Sequence, residues 1–419
     1  MTDHARQVSS TRKGPLEHVT ILDLTQHLSG PFGSQILSDL GARVIKVEPP
    51  TGDPTRRIGP YFEDGDSAYY LSANRNKESV VLDLKAPGGA DALLALAMRA
   101  DVVIENFRPG TLAKLGIDFD ALLRVNPRMV LCSITGFGPD GPYRALPAFD
   151  IVVQALAGGM SLTGEESGKS VRSGLPIGDI CAGMYGAVGT LAGLLEVGRT
   201  GIGMRIDVSM LDAQVSMLSY VASYYLASGD VAGRQGRGHM SIPTYRAFTC
   251  RDGKDIVVAA NTQPFWQGLA RAFEREDLVA DERFLDNDLR REHRDELDAA
   301  LEAAVGELDA AEALARLAAN GVPSAPVNTV DAALADPQVV QSDMVLQLEG
   351  RGDSIRAVGN PIKTHGGRTR HIAPPRLGED TESVLRDVAG LTDDQLRKLS
   401  SGGAITLAAP HEGSAAAYA

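Results

Sequence analysis

A chain of 419 residues is longer than one ordinary hydrophobic core, so we expect two domains. Its hydrophobic content of 43% and charged content of 23% are typical of a soluble globular protein, and its net charge of −13 argues against nucleic acid or an anionic membrane as partner, because both repel an acidic surface. The three cysteines, Cys132, Cys181 and Cys250, lie far apart without metal-ligand spacing, which indicates no metal site and a reducing, cytoplasmic setting.

The ends of the chain and its longest apolar run give no signal for membrane insertion. Residues 1–15 are polar and mixed in charge, which predicts a disordered N-terminus without a signal-peptide core. The uncharged run over residues 180–195 is shorter than the ~20 residues that cross a bilayer, and its glycines and alanines favour close helix packing inside a protein. Residues 401–419 are rich in Gly, Ala and Ser and predict a flexible tail.

The first part of the chain alternates strands with helices. VTILDL predicts a strand at residues 19–24, a helix follows over residues 31–40, and ARVIKVE predicts a second strand at residues 42–48. SVVLDL, a helix over residues 88–99, DVVIENF and MVLCSITGFG repeat the alternation, which predicts a parallel sheet wrapped by helices in a large domain over residues 16–225. TQHLSGPFGSQ after the first strand lacks the dinucleotide glycine pattern, so a nicotinamide-dependent dehydrogenase is disfavoured.

The pattern changes near residue 226. MRIDVSMLDAQVSML predicts a last strand that leads into a helix, and many turn formers follow it. A hairpin-like pair around RDGKD and a series of charged amphipathic helices predict a smaller α+β domain over residues 226–325. The strand-like IRAVGNPIK and a helix near residues 381–388 predict that residues 326–400 form a linker that returns to the first domain.

One acid, Asp179, stands between Gly178 and the uncharged run, and two interpretations of it are open. Asp is a preferred helix N-cap, whose oxygen accepts an orphan backbone N–H and stabilises the helix by about 1 kcal/mol. A carboxylate beside glycine at a helix start is also accessible to a ligand, and it can attack an activated acyl group as a nucleophile. The local residues by themselves favour the cap.

Seven ordered motifs extend this evidence along the chain: LDLTQHLSGPFGSQILSDLGARVIKVEPPTGDPTR, NRNKESVVLDLK, VIENFRPGTLAKLG, ITGFGPDGP, FDIVVQALAGGMSLTG, PIGDICAG and RTGIGMRIDVSMLDA. In their order and spacing they are similar to the class III (family III) CoA-transferases, the formyl-CoA, carnitine and dicarboxylate CoA-transferase group related to the α-methylacyl-CoA racemases. The resemblance runs from about residue 16 to about residue 378, and it favours the nucleophile over the cap at Asp179.

The resemblance implies a CoA-transferase that moves CoA from an acyl-CoA donor, for which succinyl-CoA is an analogy, to a carboxylic acid. Asp179 would be the nucleophile and would carry an aspartyl-CoA thioester, so no ATP is needed. The implied fold is a large Rossmann-like parallel-sheet domain and a smaller α+β domain joined by long linkers, in an interlocked-ring homodimer. Acyl-CoA and a small carboxylic acid are the implied partners, with no permanently bound cofactor and CoA entering as part of the substrate.

The resemblance also implies a CoA-binding set, whose cations would meet the phosphates, although about half of them could be ordinary solvated surface. Leu28 stands where formyl-CoA transferases carry a glutamine, which weakens a transfer of oxalate specificity. The implied CoA-binding residues are Leu28, Ser29, Arg56, Asn74, Arg75, Lys77, Asn106, Phe107, Arg108 and Lys114.

Two further regions match positions near the nucleophile. GRQGRGH at residues 233–239 matches a mobile glycine-bearing loop that helps to stabilise oxyanions, although it holds fewer glycines than in formyl-CoA transferases. Gly236, Gly238 and His239 are its candidates, and a substrate contact and a structural hydrogen bond are both open for His239. Asp150 matches an acidic position, where it orients donors or caps a helix.

The residue before Asp150 separates transferase from racemase. The racemases carry a histidine there as a second acid–base group, and this chain carries Phe149, which cannot accept a proton. The sequence therefore favours acyl transfer. Two alternatives stay open: an acyl-CoA racemase or isomerase in which another group replaces that histidine, and a non-catalytic CoA-binding protein.

Overall fold

The structure is a computed structural model that describes residues 14–351, 355–364 and 371–406. Within these residues the chain forms two compact units. The first holds the described residues up to Gly159, then Ser173–Ala222 and those from Gln341 onward; the second holds Met160–Arg172 and Ser223–Val340. Most of the N-terminal segment predicted to be disordered, residues 1–15, lies outside the described residues.

The first unit is built on a six-stranded sheet in which every strand pairs in parallel with its neighbours, in the order β5-β2-β1-β6-β7-β8. The predicted parallel sheet is therefore confirmed. Two short antiparallel pairs, β3 with β4 and β13 with β14, accompany it. The strands are β1 (Thr20–Asp23), β2 (Arg43–Glu48), β3 (Phe62–Glu63), β4 (Asp66–Ser67), β5 (Lys77–Val81), β6 (Val102–Glu105), β7 (Val130–Thr135), β8 (Met204–Ser209), β13 (Val345–Gln347) and β14 (Arg356–Val358).

Helices connect these strands, and a short 3-10 helix spans Pro54–Arg57. The helices of the first unit are α1 (Ser29–Asp39), α2 (Ala68–Ser72), α3 (Gly89–Ala97), α4 (Thr111–Lys114), α5 (Phe119–Val125), α6 (Asp150–Leu156), α8 (Ile177–Thr200), α9 (Met210–Ser216), α18 (Thr381–Asp387) and α19 (Asp393–Ser401). Where the chain passes between the units it forms α7 (Gly159–Leu162) and α10 (Ser219–Ser228).

The central strands are apolar because both faces of the sheet are covered. Successive side chains of a strand point to opposite faces, so Leu22 packs in one cluster with Val103 while Ile21 packs in the other with Val102. The chain runs from β1 to β2 on one side, and β6 lies on the other side of β1. This reversal opens a crevice at the carboxyl ends of β1 and β6, the usual ligand site of such a sheet.

Glycine lets α8 pack closely against its neighbours. A Cβ on Gly183 would lie 2.4 Å from the carbonyl oxygen of Ser29 in α1, and one on Gly186 would lie 2.6 Å from Ile134 in β7. By length and composition alone, α8 is the one helix in the described ranges that could cross a membrane. Its glycine contacts give it instead the role of a core helix between α1 and the sheet.

The second unit has a four-stranded antiparallel sheet in the order β12-β11-β10-β9, and the predicted hairpin around RDGKD joins β10 to β11. Its helices pack around the fully buried Trp266. Its elements are β9 (Gly238–His239), β10 (Ile242–Thr249), β11 (Asp255–Ala259), α11 (Gln263–Ala272), α12 (Asp277–Ala280), a 3-10 helix (Glu282–Phe284), α13 (Asn287–Glu292), α14 (Arg294–Val305), α15 (Ala310–Ala319), β12 (Ser324–Pro326), α16 (Val330–Leu334) and α17 (Pro337–Gln341).

Two segments differ from the domain limits expected from sequence. Residues 160–172 join the second unit because backbone N–H groups of Gln235 and Gly236 bond to carbonyl groups of this segment, a pairing that local sequence cannot reveal. At the other end, Ala404 and Ile405 are buried, and the Ala404 carbonyl accepts the N–H of Asp83. The predicted flexible tail is therefore packed at its start, and residues 407–419 lie outside the described residues.

Candidate active site

Asp179 is the third residue of α8, whose N-cap position is occupied by Pro176. The N-cap interpretation of Asp179 is therefore wrong, because the helix begins two residues earlier. Asp179 and Gly183 are four residues apart and share one face of the helix. Since Gly183 contacts the carbonyl of Ser29, Asp179 lies on the face of α8 that meets the start of α1.

The surroundings of the Asp179 carboxyl favour its neutral, protonated form. Burial raises its pKa, and the nearby Asp150 carboxylate raises it further, to about 7. No hydrogen bond or cation pairs with the Asp179 side chain within the described part of the chain. At neutral pH it is thus divided between acid and carboxylate, and its ionised form is a poorly solvated and more basic nucleophile.

Asp150 accepts a hydrogen bond from the first turn of α8, the helix that carries Asp179. It is the first residue of α6, but its Oδ1 accepts the N–H of Gly178 in α8 at 2.8 Å. Its Oδ2 accepts from Nε2 of Gln154 at 2.7 Å, and Gln154 Oε1 accepts the N–H of Ser173 at 2.8 Å. Of the two functions open for Asp150, the structure supports a cap, supplied to a neighbouring helix. The cap places its negative charge beside Asp179.

The loop after β1 crosses the crevice between β1 and β6. Asn106, which follows β6, accepts the N–H of Gln26 at 2.9 Å and donates to the Gln26 carbonyl at 2.8 Å. Leu28 is the buried N-cap residue of α1, and the buried Ser29 begins that helix. Three residues of the predicted CoA-binding set therefore shape this loop through backbone and packing contacts.

The cations predicted near NRNK and TGDPT lie inside the fold. The Lys77 ammonium is 2.9 Å from Asp23 Oδ2 and also donates to Asn74 Oδ1, while Arg75 is 2.6 Å from Asp39. Arg56 binds both Glu48 and Asp66, and its guanidinium lies 3.8 Å from the centre of the Tyr70 ring. Each of the three cations has a carboxylate partner, which the motifs alone do not reveal. The partners lie between 8 and 54 residues away in the chain.

Arg108 and Lys114 are exposed, in contrast to those three. Arg108 lines a cleft of about 460 Å³ at the carboxyl ends of β6 and β7, beside α4. Arg144 and Arg205 line the same cleft, and Arg205 is 2.8 Å from Asp207. Phe107 is half-buried and packs against the core beneath α4. The sequence motifs indicated Arg108 but missed Arg144 and Arg205, which belong to other segments.

The GRQGRGH loop belongs to the second unit, whereas Asp179 belongs to the first. Gly236 donates its N–H to the Gly164 carbonyl at 3.1 Å and has a positive φ of 54°. Gly238 lies in β9. His239 Nδ1 accepts the N–H of Ser241 at 3.1 Å, and its ring meets Tyr245 edge to face. These contacts support the structural hydrogen bond that was open for His239.

Two side chains with contacts in this region, Tyr69 near Asp179 and His27 beside Phe149, are absent from the predicted site. Tyr69 is half-buried, and its pKa is raised by burial and by the carboxylates of Asp179, Asp53 and Asp150. His27 meets Phe149 edge to face at a centroid distance of 6.1 Å. The sequence shows His27 in the loop TQHLSG, but it could not predict the contact with Phe149, because the two residues are 122 positions apart in the chain. Within the described ranges, no cluster of three or more His, Cys, Asp or Glu side chains could hold a metal ion.

Comparison with known proteins identifies the family of the chain. The chain matches the family model of CoA-transferase family III over residues 16–381. It is 37% identical over 394 residues to the succinyl-CoA:glutarate CoA-transferase of Homo sapiens, covering 93% of this chain and 90% of the human protein. It is 37% identical over 381 residues to the acetyl-CoA:oxalate CoA-transferase of Acetobacter aceti, covering 90% of this chain and 96% of that protein.

A solved structure agrees as well. A CAIB/BAIF family protein from Brucella suis has a TM-score of 0.80 at 34% identity, covering 90% of this chain and 99% of that one. The chain belongs to CoA-transferase family III. The protein is an enzyme of the CoA-transferase type, so the family and reaction type predicted from the motifs are confirmed.

Proposed function

We propose that the protein transfers CoA from succinyl-CoA to a short dicarboxylic acid such as glutarate, through a thioester on Asp179. The observation that carries this proposal is the half-buried Asp179 carboxyl, whose pKa is raised to about 7 at the start of α8. The relative from Homo sapiens is named for succinyl-CoA and glutarate, and a relative from Agrobacterium fabrum, 37% identical over 386 residues, is a succinate–glutarate CoA-transferase.

In the first half-reaction the ionised Asp179 oxygen attacks the thioester carbonyl of the donor. The carbon–sulfur bond breaks, CoA leaves as a thiolate with the electron pair, and a mixed anhydride remains. The thiolate then attacks the side-chain carbonyl carbon of Asp179, and the donor acid leaves as a carboxylate. The acceptor carboxylate repeats these steps in reverse order, so that it leaves as the new CoA ester with no net proton uptake.

Residues around Asp179 supply position and environment for these steps. Asp150 fixes the first turn of α8 through Gly178, which holds the nucleophile in place. Burial removes water that would otherwise hydrolyse the anhydride and the thioester. Both effects favour transfer over hydrolysis.

The phosphates of CoA need cations that are not already used inside the fold. We assign them to the exposed Arg108 and Lys114, with Arg144, which lines the same cleft as Arg108. The Arg108→Ala/Lys114→Ala double variant is expected to raise KM for acyl-CoA by about tenfold or more with little change in kcat, because it removes ground-state binding. Arg124→Ala, an exposed cation in α5, is the matched control. Equal KM values in the three proteins would contradict the assignment.

Trapping tests the covalent step. Wild-type protein incubated with acyl-CoA and hydroxylamine is expected to release CoA, acquire a hydroxamate at Asp179 and lose activity, as peptide mass spectrometry would show. The Asp179→Asn variant should remain unmodified. An adduct at another residue, or none, would overturn the mechanism. Rapid exchange of the α-proton of acyl-CoA into deuterated water without a second acid would instead support a racemase.

We also propose a homodimer in a cytoplasmic setting, with no permanently bound cofactor. Family membership supports the dimer, and three buried free cysteines, Cys132, Cys181 and Cys250, are compatible with a reducing compartment. Light scattering on the purified protein is expected to give twice the mass of the chain, and the mass of a single chain would contradict the dimer.

A further inference from the structure

The loop between β1 and α1 holds a histidine in a backbone conformation that L-residues rarely adopt. His27 has a φ of +65°, within the left-handed region. Its N–H donates to Asp53 Oδ1 at 3.3 Å, and the preceding Gln26 is bonded on both sides by Asn106. Such a conformation persists where surrounding contacts fix it, and it is concentrated at functional sites.

Two sets of contacts connect the His27 loop to the start of α8, which carries Asp179. Its ring meets Phe149, and the next residue, Asp150, accepts the N–H of Gly178 immediately before Asp179. In the other direction along the chain, Ser29 contacts Gly183, one helical turn after Asp179 on the same face of α8. These contacts bring the loop that carries the imidazole to the same end of α8 as Asp179.

A dicarboxylic substrate needs a hydrogen-bond donor among the carboxylates of this region, and the imidazole can supply one. Carboxylates of Asp179 and Asp150 bear on the nearby Tyr69, and their negative charge opposes the binding of a dianionic acid. His27 is partly exposed, and its ring nitrogens make no hydrogen bond to another described residue. An imidazole N–H can donate to a carboxylate.

We propose that His27 binds the remote carboxylate of a dicarboxylic substrate while the reacting carboxyl group lies against Asp179. His27 thereby selects dicarboxylic over monocarboxylic acids. This inference rests on the proposed transfer through Asp179. Phe149, which is 62% exposed, supplies an apolar wall for the methylene groups between the two carboxylates and holds the imidazole ring at its edge.

The test compares glutarate with valerate, its five-carbon monocarboxylic counterpart, as acceptors. Acetyl-CoA is the donor, because it has no second carboxylate. His27→Gly removes the imidazole and suits the positive φ, whereas His27→Asn tolerates the same backbone and retains a donor. His18→Asn, at an exposed position, is the control. Unfolding temperatures close to that of the wild type establish that each variant is folded.

We expect His27→Gly to lower the ratio of kcat/KM for glutarate to that for valerate by about tenfold or more, because a hydrogen bond to a charged group is lost. His27→Asn should restore part of the ratio, and His18→Asn should leave it unchanged. An unchanged ratio in His27→Gly, or an equal loss with both acids, would overturn the proposal.

The donor half-reaction separates this inference from the proposed function. Acetyl-CoA is expected to form the Asp179 adduct in wild type and in His27→Gly alike. Failure of the wild type to form it with both acetyl-CoA and succinyl-CoA would remove the proposed mechanism itself. Formation of the adduct with an unaltered acid preference would remove only the assignment of His27.

Discussion

Two carboxylates in the first unit, the fully buried Asp23 and the half-buried Asp179, have opposite electrostatic states. Burial alone would raise the pKa of each. At Asp23 the ammonium groups of Lys77 and Lys46, with hydroxyl donors, outweigh burial and hold the pKa well below its ordinary value. At Asp179 the nearest charge is another carboxylate, Asp150, so its pKa rises to about 7.

The two carboxyls differ in whether neighbouring groups neutralise their charge. Asp23 receives hydrogen bonds from Thr25 and Ser34 and an ion pair from Lys77, which leaves it no freedom to react. Asp179 has no such partner among the described residues, and its ionised form therefore carries a free-energy cost, which the proposed attack on an acyl carbon would relieve. Four changes would break or sharpen this contrast.

Removing the nucleophile should have the largest effect. Asp179→Asn is expected to lower kcat by about 10³-fold or more, because an amide cannot form the acyl intermediate. The assay is exchange of CoA between succinyl-CoA and glutarate, followed by mass spectrometry. Asp120→Asn, an exposed acid in α5, is the control and should keep full activity. Normal exchange by Asp179→Asn would contradict the proposed mechanism.

Removing Lys77, the cation that pairs with Asp23, should lower the stability of the fold. Lys77→Met leaves Asp23 buried without its closest cation, and we expect a loss of about 3–5 kcal/mol in the free energy of unfolding, measured with urea. The double variant Lys77→Met/Asp23→Asn should recover part of this loss, because it removes the uncompensated charge. A loss below about 1 kcal/mol in the single variant would show that the pair is not structural.

The pH dependence of stability should distinguish the two carboxyls. The folded state raises the pKa of Asp179 above its ordinary 3.8, so the folded chain binds this proton more tightly than the unfolded chain. The contribution of Asp179 to stability therefore falls as the pH rises from about 4 to about 7. The Asp179→Asn variant has no carboxyl at this position and does not lose stability in this way. Its free energy of unfolding relative to that of the wild type should therefore increase between pH 4.5 and pH 8, by at most about 4 kcal/mol. An equal difference at both pH values in urea unfolding would contradict the raised pKa.

Removing the neighbouring charge should give the smallest change. Asp150→Asn keeps an oxygen for the Gly178 N–H but loses the negative charge, so the pKa of Asp179 falls. The midpoint of the rise in kcat with pH is expected to move from about 7 to a value lower by about 0.5–1. Gln154→Ala removes a hydrogen bond of Asp150 without changing its charge, and should leave the midpoint in place. A midpoint that stays near 7 in Asp150→Asn would show that burial alone sets the pKa.

Sequence patterns predicted the elements that depend on local residue order. The apolar runs of β1, β2, β6 and β7 indicated the parallel sheet, and the glycine-bounded acid before an apolar helix indicated Asp179. The patterns placed Arg56 and Lys77 in the site, but the structure pairs them with Glu48, Asp66 and Asp23 inside the fold. The motif supplies a cation, and its partner comes from another segment, so the motif alone cannot show whether the charge is free.

The sequence by itself therefore determined the fold class and the family and singled out Asp179 as the predicted nucleophile, because each follows from short-range periodicity or ordered motifs. Only the tertiary structure decided which charges are paired, that Asp150 caps α8, and that His27 lies against Phe149. Desolvation and ion pairing depend on which distant segments meet. The raised pKa of Asp179 is consequently a property of the packed chain, and residues that are far apart in sequence produce it together.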